Sequence, residues 1–123
     1  MYNFERLEVW HVSRKLVTTV YQLLRSFPAE ERYALCDQIR RATISISSNI
    51  AEGGSRISHK EQMHFMEIAY GSLMEVYCQL TIAVDLGYLQ QEQPEVVEAK
   101  RLIEQMAKML SGLRKPLKSK IPS

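Results

Sequence analysis

Apolar residues return every three or four positions along most of this chain, in four separate stretches. At about 100° per residue, Val9, Val12, Leu16, Val20, Leu23 and Phe27 share one face, with Glu8, His11, Lys15, Thr18, Gln22 and Arg25 opposite. That pattern predicts a helix over residues 7–26. Phe27-Pro28 breaks it and opens a second helix, since proline is tolerated in a first turn and Glu30 and Glu31 suit the positive end of the helix dipole. On this second helix Leu35, Ile39, Ala42, Thr43, Ile46 and Ile50 fall in one narrow sector, and Arg41, Ser45, Ser48 and Glu52 fall on the other side. Gly53-Gly54 is expected to end it in the left-handed conformation of a C-cap, which glycine enters without steric cost.

Ser58-x-x-Glu61 is a capping box that starts a third helix, reaching about Leu86 with Gly87 as its C-cap. Pro94 marks the first turn of a fourth, reaching about Arg114, on which Val96, Ala99, Ile103, Met106, Leu110, Leu113 and Leu117 form a seam of alternating three and four spacing. Pro116 and Pro122 limit any continuation. No strand pattern, internal repeat or low-complexity run interrupts the series. Short connections between four similar helices predict an all-α, up-down-up-down four-helix bundle over residues 1–116, followed by a flexible basic tail at 117–123.

The third helix is apolar on too many sides for one core. Met66, Ala69, Tyr70, Leu73, Tyr77, Leu80 and Val84 form its main face, while Ile68, Ile82 and Leu86 lie nearly opposite and Phe65, Val76 and Ala83 flank them. A second apolar face predicts a subunit interface. The alternative is a helix sunk more deeply within a monomer.

A hydrophobic share of 46% in 123 residues suits one domain with a real core. Cys36 and Cys78 lie in separate helices without metal-ligand spacing, as in a cytoplasmic protein with reduced thiols. No signal-peptide core and no apolar run near the ~20 residues that span a bilayer are found, so no membrane partner is expected. A formal net charge of +2 conceals segregation: residues 1–60 balance at +3, 61–99 at −7 with no Lys or Arg, and 100–123 at +6. Arg101, Lys108 and Lys115 recur every seven residues on one face of the fourth helix, and Arg114, Lys118 and Lys120 crowd the end of the chain. These six are the candidate nucleic-acid contacts, with Arg40, Arg56 and Lys60 adding charge nearby. A solubilising tail is the plainer explanation. Aromatic residues are not interleaved with the bases, which points to backbone phosphates and not to sequence reading.

Enzyme chemistry has one candidate, the Glu8–His11 and Glu61–His64 pairs, because di-metal bundles use Glu-x-x-His from two helices. Their ligands must face inward, yet His11 lies on the polar face of its helix, and Glu61 and His64 lie opposite the main apolar face of theirs. His59, beside the capping Ser58, reads as a surface residue. No metal, cofactor or catalytic activity is therefore expected, and no phosphate-cradling loop or nucleophile arrangement is found. The Arg41/Ser45/Ser48/Glu52 stripe can be a solvated face, a polar seam between subunits or a ligand site. Asn49 at its edge is expected to tie the helix to a neighbour, and Gly71-Ser72 to mark a close helix contact.

Several segments together carry a resemblance: Phe4-x-x-Leu7-x-Val9-Trp10, Phe27-Pro28-x-x-Glu31, QIRRATISISSNIAEGGSR at 38–56, Ile68-Ala69-x-Gly71-Ser72-Leu73-x-Glu75, Gln79-Leu80 and Leu86-Gly87-Tyr88. With SNIAEG at its centre, the chain resembles the four-helix-bundle proteins encoded in intervening sequences of bacterial large-subunit ribosomal RNA genes. Those in turn resemble the accessory variability proteins of diversity-generating retroelements. The resemblance implies a homo-oligomer, a pentamer, that associates with RNA or DNA and has no catalytic activity. Gly53, Ile68, Gly71, Ser72, Glu75 and Ile82, with the polar stripe of the second helix, are expected as structural or interface positions. The rival expectation is a scaffold that docks a protein partner through its charged zones.

Overall fold

The computed structural model describes residues 1–122. Among them are four α-helices and no strands: α1 (Glu8–Leu24), α2 (Leu35–Ser55), α3 (His59–Asp85) and α4 (Pro94–Lys120). Short 3-10 turns at Asn3–Arg6 and Ala29–Glu31 precede α1 and α2. Each helix packs on two others, α1 and α3 both lying against α2 and α4. The core is the set of apolar faces brought together, with Leu16, Val20, Ile39, Ile46, Leu73, Leu80, Met106 and Leu110 fully buried. Three polar residues are buried, Ser13, Thr43 and Gln79: Thr43 donates to the Ile39 carbonyl at 2.7 Å, and Ser13 accepts from Ser47 at 2.8 Å, pinning α1 to α2.

Ser58 caps α3, the Glu61 amide donating to its Oγ at 3.1 Å, but among the described residues the Glu61 carboxylate does not bond back to the Ser58 amide, so only half of the expected box forms; Pro94 occupies the first turn of α4. Gly87 closes α3 with φ of 81°. Four other details differ from expectation. Pro28 is extended and leads into the 3-10 turn, so α2 starts later, at Leu35. Gly53 and Gly54 lie inside α2, which ends at Ser55; among the described residues Gly87 alone has positive φ. Their hydrogen side chains answer to crowding: a Cβ on Gly53 would stand 2.8 Å from Met66 Cε, and one on Gly54 the same distance from Phe4 Cβ. The core face of α3 is rotated from the expected one, so that Val76 and Ala83 are buried while Tyr77 is 44% exposed.

Finally, α4 runs past Arg114 and through Pro116 to Lys120, crossing the boundary drawn at residue 116. Proline cannot donate to the carbonyl one turn back. That carbonyl belongs to Gly112, which is exposed, so solvent can serve it.

Candidate nucleic-acid interface

The six basic residues singled out on the fourth helix occupy different environments. Arg101 grips Glu98 with two hydrogen bonds, Nε at 2.9 Å and Nη2 at 2.8 Å. This contact holds the Glu98 carboxyl below its ordinary range and raises the Arg101 guanidinium above its own. Lys108 stands 3.9 Å from Glu104 on the same helix. Arg114 lies 4.1 Å over the Tyr70 ring and reaches Ser111 Oγ at 3.3 Å, and its Nε is buried without a partner. Lys115, Lys118 and Lys120 are exposed, and among the described residues no carboxylate lies within ion-pair distance of them. Lys120 meets His59 and Lys60 across a cleft of about 530 Å³. Arg56, nearby, is engaged by Glu52 at 2.9 Å and Glu61 at 3.5 Å.

Of the polar stripe on α2, Ser45 enters an internal seam, whereas Arg41, Ser48 and Glu52 are exposed. Ser45 Oγ meets Ser72 Oγ of α3 at 3.0 Å, which requires the two helices to approach closely. Asn49 stays on its own helix, its Nδ2 donating to the Ser45 carbonyl at 2.8 Å and to Ser45 Oγ at 3.0 Å. Arg41 pairs with Asp37 at 3.1 Å, and Ser48 is exposed. Across the seam Glu75 accepts from Gln79 Nε2 at 3.1 Å, leaving the buried Gln79 Oε1 without a partner. Gly71 touches nothing where its Cβ would be, and on the same helix Ile68 and Ile82 are 38% and 43% exposed. His11 Nε2 meets the Glu5 carbonyl at 2.6 Å, and among the described residues no three His, Cys, Asp or Glu side chains converge on one point.

A basic surface that sequence reading did not assemble lies between α1 and α2. Three hollows of about 590, 460 and 320 Å³ succeed one another along it and share Ile44, Tyr21 and Arg40. Their walls carry six cations, Arg14, Lys15, Arg25, Arg32, Arg40 and Arg41, and one carboxylate, Asp37. The Arg14 guanidinium lies 5.0 Å over the Trp10 ring, a cation–π contact that holds the charge at the exposed surface. The positive balance of residues 1–60 was the available signal. Lys15 and Arg25 were legible as polar-face residues of α1; that they share a groove with Arg40 and Arg41 follows from the packing of α1 on α2.

Among the described residues, no helix is long and apolar enough to cross a membrane. Comparison with curated proteins gives no match. Among solved structures, a crystal structure of a protein of unknown function from the S23 ribosomal protein family of Bacteroides thetaiotaomicron is similar, with a TM-score of 0.78. It is 21% identical, over 87% of this chain and 95% of that one, a likeness of fold. The family model for the 23S rRNA-intervening sequence protein matches residues 5–112, nearly the whole bundle, and the chain belongs to that family.

Proposed function

We propose that this protein is a non-enzymatic, homo-oligomeric up-down-up-down bundle that binds RNA or DNA through backbone phosphates. The observation that carries this reading is the α1–α2 groove, where six cations face one carboxylate. Lys115, Lys118 and Lys120 add a second, smaller contact surface; Arg101 and Lys108 contribute less, because each stands beside a carboxylate. Phosphate binding displaces counterions, so log affinity falls linearly with log salt. Fluorescence anisotropy with labelled RNA and DNA is expected to show binding at 50 mM salt that weakens on the order of a thousandfold by 200 mM for six or more contacts. Absence of binding by folded protein at low salt would remove the proposal. A partner pulled down equally well after nuclease treatment would favour the protein scaffold in its place.

The oligomer is supported by the outward side of α3, along which Ile68, Ile82 and Leu86 are 38%, 43% and 53% exposed. A ring of copies, a pentamer by family resemblance, would join several grooves into one multivalent surface. Light scattering is expected to give a mass several times that of one chain, and Ile68→Lys with Ile82→Lys to reduce it to the monomer with helicity intact. A wild-type monomer would end this part of the reading.

A further inference from the structure

We infer that the innermost hollow of the groove, between the end of α1 and the start of α2, is a pocket for a nucleotide carrying a terminal phosphomonoester, which rests on the nucleic-acid reading above where a strand end is its source. The hollow holds about 320 Å³, near the lower bound for small-molecule sites and close to the size of one nucleotide. Arg25, Arg32 and Arg40 stand on its rim. Arg40 is fixed by its Nη2, which donates to the Arg32 carbonyl at 2.9 Å. Arg25 and Arg32 have no carboxylate within ion-pair distance among the described residues.

Two acids lie near the hollow, and each has another partner besides the rim arginines. Glu31 accepts from Tyr88 Oη at 2.8 Å, and Asp37 lies 3.1 Å from Arg41 but 4.0 Å from Arg40. Three arginines lining one small volume exceed what a single phosphodiester charge calls for. A phosphomonoester, with a charge of about −1.5 to −2 at neutral pH and three acceptor oxygens, matches them. The uncapped first turn of α2 contributes Cys36 to the wall and adds the positive end of a helix dipole.

The floor suits a base. Leu24, Phe27 and Cys36 are buried beneath the rim, and Tyr21, 40% exposed, offers a ring for stacking. Burial pushes the Cys36 thiol above its ordinary range, with Glu31 adding to the rise and Arg40 and Arg32 opposing it.

The test compares one labelled oligonucleotide bearing a 5′-phosphate, a 3′-phosphate or neither, alongside adenosine monophosphate and adenosine. A phosphorylated end is expected to bind about tenfold or more tighter than the hydroxyl form. Arg25→Ala with Arg32→Ala, both exposed and, among the described residues, outside any ion pair, is expected to erase that preference and leave the melting temperature unchanged. Equal binding of all three oligonucleotides, with no preference for the monophosphate over adenosine, overturns the pocket and spares the backbone reading. Binding of adenosine monophosphate without any oligonucleotide supports a free-nucleotide pocket and overturns nucleic-acid binding. Binding of none overturns both.

Discussion

Reversing Arg14, Lys15 and Arg41 to glutamate is expected to weaken nucleic-acid binding by two orders of magnitude or more at 50 mM salt. All three side chains are exposed, and they line the outer parts of the groove, away from the innermost pocket. Each lost phosphate contact lowers the slope of log affinity against log salt by about 0.7 for a single strand and 0.9 for B-DNA. The triple variant should therefore flatten the salt dependence by roughly two to three. Lys115, Lys118 and Lys120 reversed together are expected to cost less, since they lie outside the groove. Anisotropy titrations at four salt concentrations measure both quantities. If the α4 variant loses more than the groove variant, the interface belongs to the end of α4, and the groove assignment fails.

Gly53→Val is expected to destabilise the bundle by about 1–3 kcal/mol, a fall in melting temperature on the order of 5–15 °C. The added Cβ would stand 2.8 Å from Met66 Cε, 3.2 Å from the Gln62 carbonyl oxygen and 3.2 Å from Phe65 Cβ. Methionine can swing aside, but the other two atoms are tied to the backbone of α3, so α2 and α3 must part. Gly53→Ala has compensation, because alanine gains up to about 1 kcal/mol of helix propensity. It should therefore melt closer to wild type than the valine variant. Circular dichroism melts decide: Gly53→Asn more stable than Gly53→Ala would mean that a left-handed cap, and not the notch, requires the glycine.

These glycines mark where sequence and structure diverge. Their spacing after Ile50 was legible as a helix end because glycine is the usual left-handed stop. Adjacent glycines equally well make a notch, and choosing between the two requires knowing that Met66 and Phe4 lie opposite. Tyr77 shows the same limit. An amphipathic pattern locates a face to within about one residue's turn, and burial of Val76 in place of Tyr77 is a rotation of that size. Pro116 was read by its intrinsic preference, yet the bond it cannot make falls on exposed Gly112, where the helix tolerates it.

The candidate site was legible only as charge. Sequence order made the cluster at residues 100–123 conspicuous, because those bases are neighbours along the chain. Arg101 and Lys108 were always within one turn of Glu98 and Glu104, so their pairing was open to inspection. The stacking of Arg114 on Tyr70 joins residues far apart in sequence and was not.

By itself the sequence determined the four helices, most of their buried faces, the Ser58 cap, the Gly87 stop and the family, because each depends on short-range periodicity or local backbone chemistry. Tertiary structure alone decided which polar faces meet. The Ser45–Ser72 contact turned part of an outward stripe into a seam, and the packing of α1 on α2 gathered Arg14, Arg25, Arg32, Arg40 and Arg41 around one groove. The physical reason is that periodicity fixes a residue's angle on its own helix, whereas a binding surface depends on the relative placement of two helices, set by the side chains packed between them.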